Sequence, residues 1–265
     1  MAAKVIGIIS LKGGVGKTSI TAALGDAMAS LGKKVLLVDG NLSAPNLGLH
    51  FNLVNPKISL HHVLAREAKP SEAIYHLEKF DVMPASIFEK PDVSALKLKD
   101  RLMVLKDKYD VILLDSSPSL NDETLGVMLA SDELLVVTTP DHPTLSNTVK
   151  AVTLAKQRGA PISGLILNKV YNEDFELSLN DIEDVTEVPV LAVIPHDVNM
   201  LKALSEFRTY TDFKPKSKGS EELRRLSSTL LGEKYEPPML RKFLWWFAPE
   251  KQEINRQVFY DEVFR

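Results

Sequence analysis

The chain has 265 residues, 45% of them hydrophobic, a formal net charge of −3 at pH 7 and no cysteine. That is enough apolar chain for one large α/β core with a short appendage; the missing thiols exclude disulfides, and the slightly acidic balance excludes a global attraction to nucleic acid. No apolar run is long enough to span a bilayer, and the first, bracketed by Lys4 and Lys12, is too short for a secretory leader.

The first predicted strand, 4–10, runs directly into Leu11-Lys12-Gly13-Gly14-Val15-Gly16-Lys17-Thr18, and a helix is predicted over 17–31. Strand, glycine-rich turn and helix in succession aim backbone N–H groups and the positive helix end at one point, which suits a nucleotide polyphosphate. Gly13, Gly14 and Gly16 let the backbone approach the phosphates, Lys17 is the cation for the β and γ phosphates, and the Thr18 hydroxyl is a magnesium ligand. The strict motif would have glycine where this chain has Leu11, and it makes no demand for Lys12. The next strand, 34–39, ends at Asp39, and the loop beyond it opens Gly40-Asn41. His61 and His62 fall in a predicted helix without metal-ligand spacing to any acid.

Strands 80–84 and 110–115 flank a predicted helix over 93–107. Asp115 emerges from Val111-Ile112-Leu113-Leu114, and a carboxylate there is costly unless a metal or a donor receives it. The plain alternative for Asp39 and Asp115 is a helix N-cap, and for Asn41 a turn former. Strand 133–139, helix 144–158, strand 162–168 with Asn168 at its end, strand 190–194 leading into Pro195-His196-Asp197, and helices 198–207 and 219–231 follow. The alternation predicts an α/β fold, a doubly wound, mainly parallel sheet with helices on both faces, whose ligands bind beyond the carboxyl ends of the strands.

Residues 1–232 are assigned to this domain, 233–238, with Pro237-Pro238, to a linker, and 239–265 to a tail. On a helical wheel Leu240, Phe243, Leu244 and Phe247 share one face, Trp246 widens it, and Arg241 and Lys242 lie opposite. With Trp245 this makes a short basic amphipathic segment suited to a bilayer interface; docking of its aromatics in a protein groove is the alternative. Residues 250–265 carry mixed charge and a poorly defined apolar stripe.

The run from Lys12 to Thr18 resembles the deviant P-loop of the ParA/MinD family of dimeric ATPases, and weaker similarity extends over residues 4–231. The resemblance implies a P-loop NTPase with ATP and Mg²⁺ as cofactors, bound by Gly13, Gly14, Val15, Gly16, Lys17, Thr18 and Ser19, with Asp115 and Thr18 serving the magnesium. It implies a homodimer in which Lys12 crosses to the partner's phosphates. It places Asn168 and Pro195 beside the base and Asp39 in the catalytic set with Lys12 and Lys17. Family members present Asp-x-Asp where this chain has Asp39-Gly40-Asn41, so Asn41 stands where a carboxylate contacts the attacking water; slow hydrolysis is the expectation. The absence of cysteine excludes the relatives that hold an iron–sulfur cluster between subunits. The tail resembles that of MinD-like members, which implies a cytoplasmic ATPase, peripheral on the inner face of the cell membrane. Such a protein positions a division or surface structure and answers to a regulator or cargo protein, without nucleic acid. A ParA-like DNA partition ATPase and a nucleotide-gated scaffold with little hydrolysis stay as alternatives.

Overall fold

The structure, a computed structural model, describes residues 2–89, 93–233 and 250–264. Eight strands form one sheet: β1 (Lys4–Ile9), β2 (Val35–Asp39), β3 (Tyr75–His76), β4 (Asp81–Met83), β5 (Val111–Asp115), β6 (Glu133–Thr138), β7 (Ile162–Val170) and β8 (Val190–Pro195). Their order is β3-β4-β2-β5-β1-β6-β7-β8, and every pairing is parallel except that of β3 with β4. This is the doubly wound, mainly parallel sheet expected from the sequence.

Ten α-helices lie among the described residues: α1 (Lys17–Ser30), α2 (Leu60–Ala65), α3 (Leu98–Leu102), α4 (Asp122–Ala130), α5 (His142–Gln157), α6 (Leu179–Thr186), α7 (Asn199–Ser205), α8 (Tyr210–Phe213), α9 (Lys218–Leu230) and α10 (Lys251–Phe264). Strands β1, β2, β5 and β6 are buried on both faces, and their side chains alternate between two apolar layers as the period of two requires. Ile6, Ile8 and Leu37 meet Ile20 and Leu24 of α1 and Leu223 and Leu226 of α9. Val5, Ile9 and Val38 face the other way, into the layer shared with Leu98, Val127 and Ala151. The predicted helix over 93–107 is a short α3 flanked by 3₁₀ turns. Strand β3 and helices α4, α6 and α8 were not anticipated.

Residues 240–247, with Leu240, Phe243, Leu244, Trp245, Trp246 and Phe247, lie outside the described residues. The segment after them is helical, and α10 packs along edge strand β8 and on α9. Its buried face is mostly polar: Gln252, Glu253 and Arg256, with Phe259. Arg256 donates to the Leu191 carbonyl at 2.6 Å and to Glu222 at 2.7 Å, Asn255 donates to the Val190 carbonyl at 2.8 Å, and Arg225 pairs with Glu253 at 2.5 Å. The helix thereby covers carbonyls that an open sheet edge would present to solvent.

Candidate functional site

Strand β1 delivers the chain into the loop before α1, where Gly14 and Gly16 take left-handed backbone at φ 79° and 90°. A side chain at position 16 would fail twice, because left-handed φ strains it and its Cβ would sit 2.4 Å from the Asn168 amide nitrogen. That nitrogen donates to the Val15 carbonyl at 2.7 Å, and Lys169 Nζ donates to the Gly14 carbonyl at 2.6 Å. Lys169 itself is left-handed, at φ 58°, which turns two successive side chains from the end of β7 onto the same loop. With Val15 and Gly14 carbonyls drawn away, the loop's N–H groups are left for an anion.

The two carboxylates are neighbours because β2 and β5 pair with Asp39 opposite Asp115. Asp115, 1% exposed, receives Lys17 Nζ at 3.2 Å, Thr18 Oγ1 at 2.6 Å and Thr21 Oγ1 at 3.3 Å. Asp39 is fully buried and accepts the N–H groups of Asn41, Asn46 and Leu47 at 3.2, 3.1 and 2.9 Å. Burial, with the charge of Asp115 adding to it, pushes the Asp39 pKa up to about 7 despite those donors. Asn41 lines the cleft, but its amide is used locally: Nδ2 donates to the Ala44 carbonyl at 2.5 Å and Oδ1 accepts the Ala44 N–H at 3.3 Å. In this state Asn41 closes a turn.

Above these groups opens a cleft of about 340 Å³ that brings together Lys12 through Ser19, Asn41, Asn168 and Pro195. Asn168 is 1% exposed, and its Oδ1 is buried with no hydrogen-bond partner. Ser19 lies 3.3 Å from His50 Nε2, whose ring also contacts the Asn46 carbonyl at 3.0 Å. Burial pulls the His50 pKa down, so that ring favours the neutral form. At the other end His196 lines the cleft and stacks on Tyr171, with centroids 4.5 Å apart and planes at 20°. His50, Lys169, Tyr171 and His196 are given no role in the sequence analysis. Their positions just after predicted strands or switch-like loops were the available signal.

Lys12 departs from the other cations. Its Nζ lies 2.5 Å from Thr144 Oγ1 and 3.3 Å from Asp141 Oδ1, at the start of α5, while Lys17 is held on Asp115. Burial alone would raise the Asp141 pKa, but hydrogen bonds from Thr139, Thr144 and Lys12 bring it down to about 2. Buried Lys17, hydroxyl Thr18 and carboxylate Asp115, beside the Gly13–Gly16 loop, are the hard-oxygen and cationic set that a magnesium polyphosphate needs.

A family model described as an AAA domain matches residues 3–159. An uncharacterised ATP-binding protein of Methanocaldococcus jannaschii is 35% identical over 233 residues, covering 86% of this chain and 88% of that protein. The cell division ATPase MinD of Pyrococcus furiosus superposes with a TM-score of 0.80 at 36% identity, over 85% of this chain and 97% of that one. The septum site-determining protein MinD of Pyrococcus horikoshii, solved as a complex with Mg-ADP, has a TM-score of 0.80 at 34% identity, over 86% and 96% of the two chains. With the phosphate loop, the paired aspartates and the second lysine in place, this chain belongs to the MinD/ParA family of P-loop ATPases.

Proposed function

We propose that the chain is a MinD-like ATPase. It binds Mg²⁺ and ATP in the cleft, pairs with a second copy of itself when ATP is bound, hydrolyses ATP slowly, and associates peripherally with the inner face of the cell membrane to position a division or surface structure under a regulator or cargo protein. The observation that carries this reading is the division of labour between two lysines. Lys17 sits in the cleft floor, whereas Lys12 is held at the rim by an acid and a hydroxyl of α5, free of its own Asp115.

Bound ATP would supply the phosphoanhydride and magnesium the charge that offsets it. The P-loop N–H groups and Lys17 bind the phosphates, Thr18 and Asp115 serve the metal, and Pro195 and Asn168 flank the base, where the unpartnered Oδ1 of Asn168 suits the amino group of adenine. Asp39 holds its loop through three backbone N–H groups, which favours positioning over proton removal. Asn41, closed on Ala44, offers no carboxylate to water, which supports slow turnover. That same contact favours a second reading, a nucleotide-gated scaffold with negligible hydrolysis.

The membrane part of the proposal rests on the apolar and basic pattern of 239–247. Among the described residues no helix is long and apolar enough to cross a membrane; it is the basic amphipathic pattern of 239–247 that suits interfacial association. Light scattering with a non-hydrolysable triphosphate should double the mass, and ADP should not; Lys12→Ala should bind nucleotide and stay single. Liposome co-sedimentation should need the triphosphate. Parent protein that stays monomeric with saturating triphosphate overturns the dimer, and equal sedimentation with ADP overturns the switch.

A further inference from the structure

Helix α4 starts between the two loops that follow β2 and β5, and its first turn holds both. Asn121 caps the helix by accepting the Thr124 N–H at 3.1 Å. Thr124 Oγ1 in turn contacts the carbonyls of Ser117 at 2.9 Å and Ser119 at 2.7 Å, which ties down the loop after Asp115. One residue earlier, Glu123 reaches the other loop, where its Oε1 accepts the Ser43 N–H at 2.9 Å and the Ser43 hydroxyl. The next turn abuts the same loop, since a Cβ at Gly40 would lie 2.6 Å from Val127.

Glu123 is 6% exposed, and its Oε2 is buried without a hydrogen-bond partner. A carboxylate kept in that state costs stability that an apolar side chain of similar volume would not. Its contact with Ser43 offsets part of that cost. The turn from Asn41 to Ala44 is closed on itself by the Asn41 amide, which ties Asn41 to the neighbour of Ser43. Asn41 is the end of that turn that lines the nucleotide cleft, and Ser43 is the end gripped from behind, in a separate cavity beside Asn121.

We propose that Glu123 is a positioning residue: by holding Ser43 it fixes the Asp39–Asn41 loop against the Asp115 loop, so that the cleft favours a triphosphate over a diphosphate. The inference rests on the ATP reading above. Displacing a positioning group by about 1 Å costs up to roughly a hundredfold, and here the effect should fall on the terminal phosphate, leaving the phosphates cradled by the P-loop unaffected.

The test compares binding of Mg-ADP and of a non-hydrolysable Mg-triphosphate to the parent, Glu123→Ala, Glu123→Gln, Ser43→Ala and the double Ala variant, with thermal unfolding alongside. Glu123→Ala should lower the triphosphate preference about tenfold with ADP affinity within about twofold of the parent. Glu123→Gln, which keeps an acceptor for both Ser43 donors, should preserve the preference. Ser43→Ala, which keeps its N–H, should lose less, and the double variant should be no worse than Glu123→Ala. Where Glu123→Ala does not fold, Glu123→Leu takes its place. An unchanged preference, an equal loss for both nucleotides, or additive losses in the double variant overturns the proposal. A parent that binds neither nucleotide overturns the ATP reading instead.

Discussion

Arg256 anchors α10 by charge in a place from which water is largely excluded. It is 5% exposed, and it touches the Leu191 carbonyl at 2.6 Å and Glu222, itself 7% exposed, at 2.7 Å. Arg256→Met would leave Glu222 buried with the Val193 N–H at 3.3 Å and the neighbouring charge of Arg225, and the Leu191 carbonyl without its donor. Removing one partner of a buried pair costs roughly 3–5 kcal/mol, and Glu222 borders a polar cavity with Lys218, so the lower end applies. About 3 kcal/mol is roughly a hundredfold in an opening equilibrium. Backbone amides of α10 should therefore exchange hydrogen about a hundredfold faster in Arg256→Met, while those of β1 and β5 stay unchanged. Arg256→Met combined with Glu222→Leu should recover most of the protection, because the unpaired charge is gone. Unchanged protection in the single variant, or a double variant as exposed as the single, would refute a docking governed by paired charge.

Three further outcomes follow from the cleft. In magnesium- and nucleotide-free protein the Asp39 carboxyl titrates near 7 instead of its ordinary 3.8, so between those values the folded state binds the extra proton and stability falls as pH rises. Asp39→Asn should then raise unfolding stability at pH 8 by up to about 4 kcal/mol and have little effect at pH 4; a pH-independent gain would tell against it. Asn41→Asp should hydrolyse ATP faster than the parent in a phosphate-release assay, and an equal or lower rate removes Asn41 from the account of slow turnover. Asn168→Ala frees the Val15 carbonyl from its buried donor, worth about 1–3 kcal/mol, and should weaken ADP and ATP by a similar factor, about tenfold, in titration calorimetry; a loss confined to ATP would contradict a role in holding the P-loop.

The strands were legible because parallel strands covered on both faces leave short continuous apolar runs, as in Val35–Asp39 and Val111–Asp115. The P-loop was legible because its glycines and lysines serve one geometry. Helix α4 was missed because it is short and has Gly126 in its middle, and its burial comes from tertiary packing on both sides. Helix α10 was missed for the opposite reason. It buries Gln252, Glu253 and Arg256 and leaves Ile254 and Val258 about half exposed, so an apolar stripe sought on its wheel points away from the domain. The Glu123 contact with Ser43 and the closure of Asn41 on Ala44 depend on side-chain pairings that no spacing encodes. Asn168 was expected beside the base from the family resemblance, but its grip on Val15 becomes visible only once β7 lies beside the P-loop.

The two lysines of the P-loop differ in what it takes to move them. Lys17 is 7% exposed and its carboxylate partner is 1% exposed; withdrawing it would strand a charge that the interior cannot solvate, with only Thr18 and Thr21 left to compensate. It can serve a bound phosphate only from where it stands. Lys12 and Asp141 are 36% and 43% exposed, and an ion pair so wetted is worth at most about 1 kcal/mol. Asp141 also keeps the Thr139 and Thr144 hydroxyls and the Thr144 N–H when the lysine leaves, so its charge is not abandoned. In the proposed dimer a phosphate offered by a second subunit would have little to overcome in drawing Lys12 away, so the lysine outside the strict motif is the one placed to change partners.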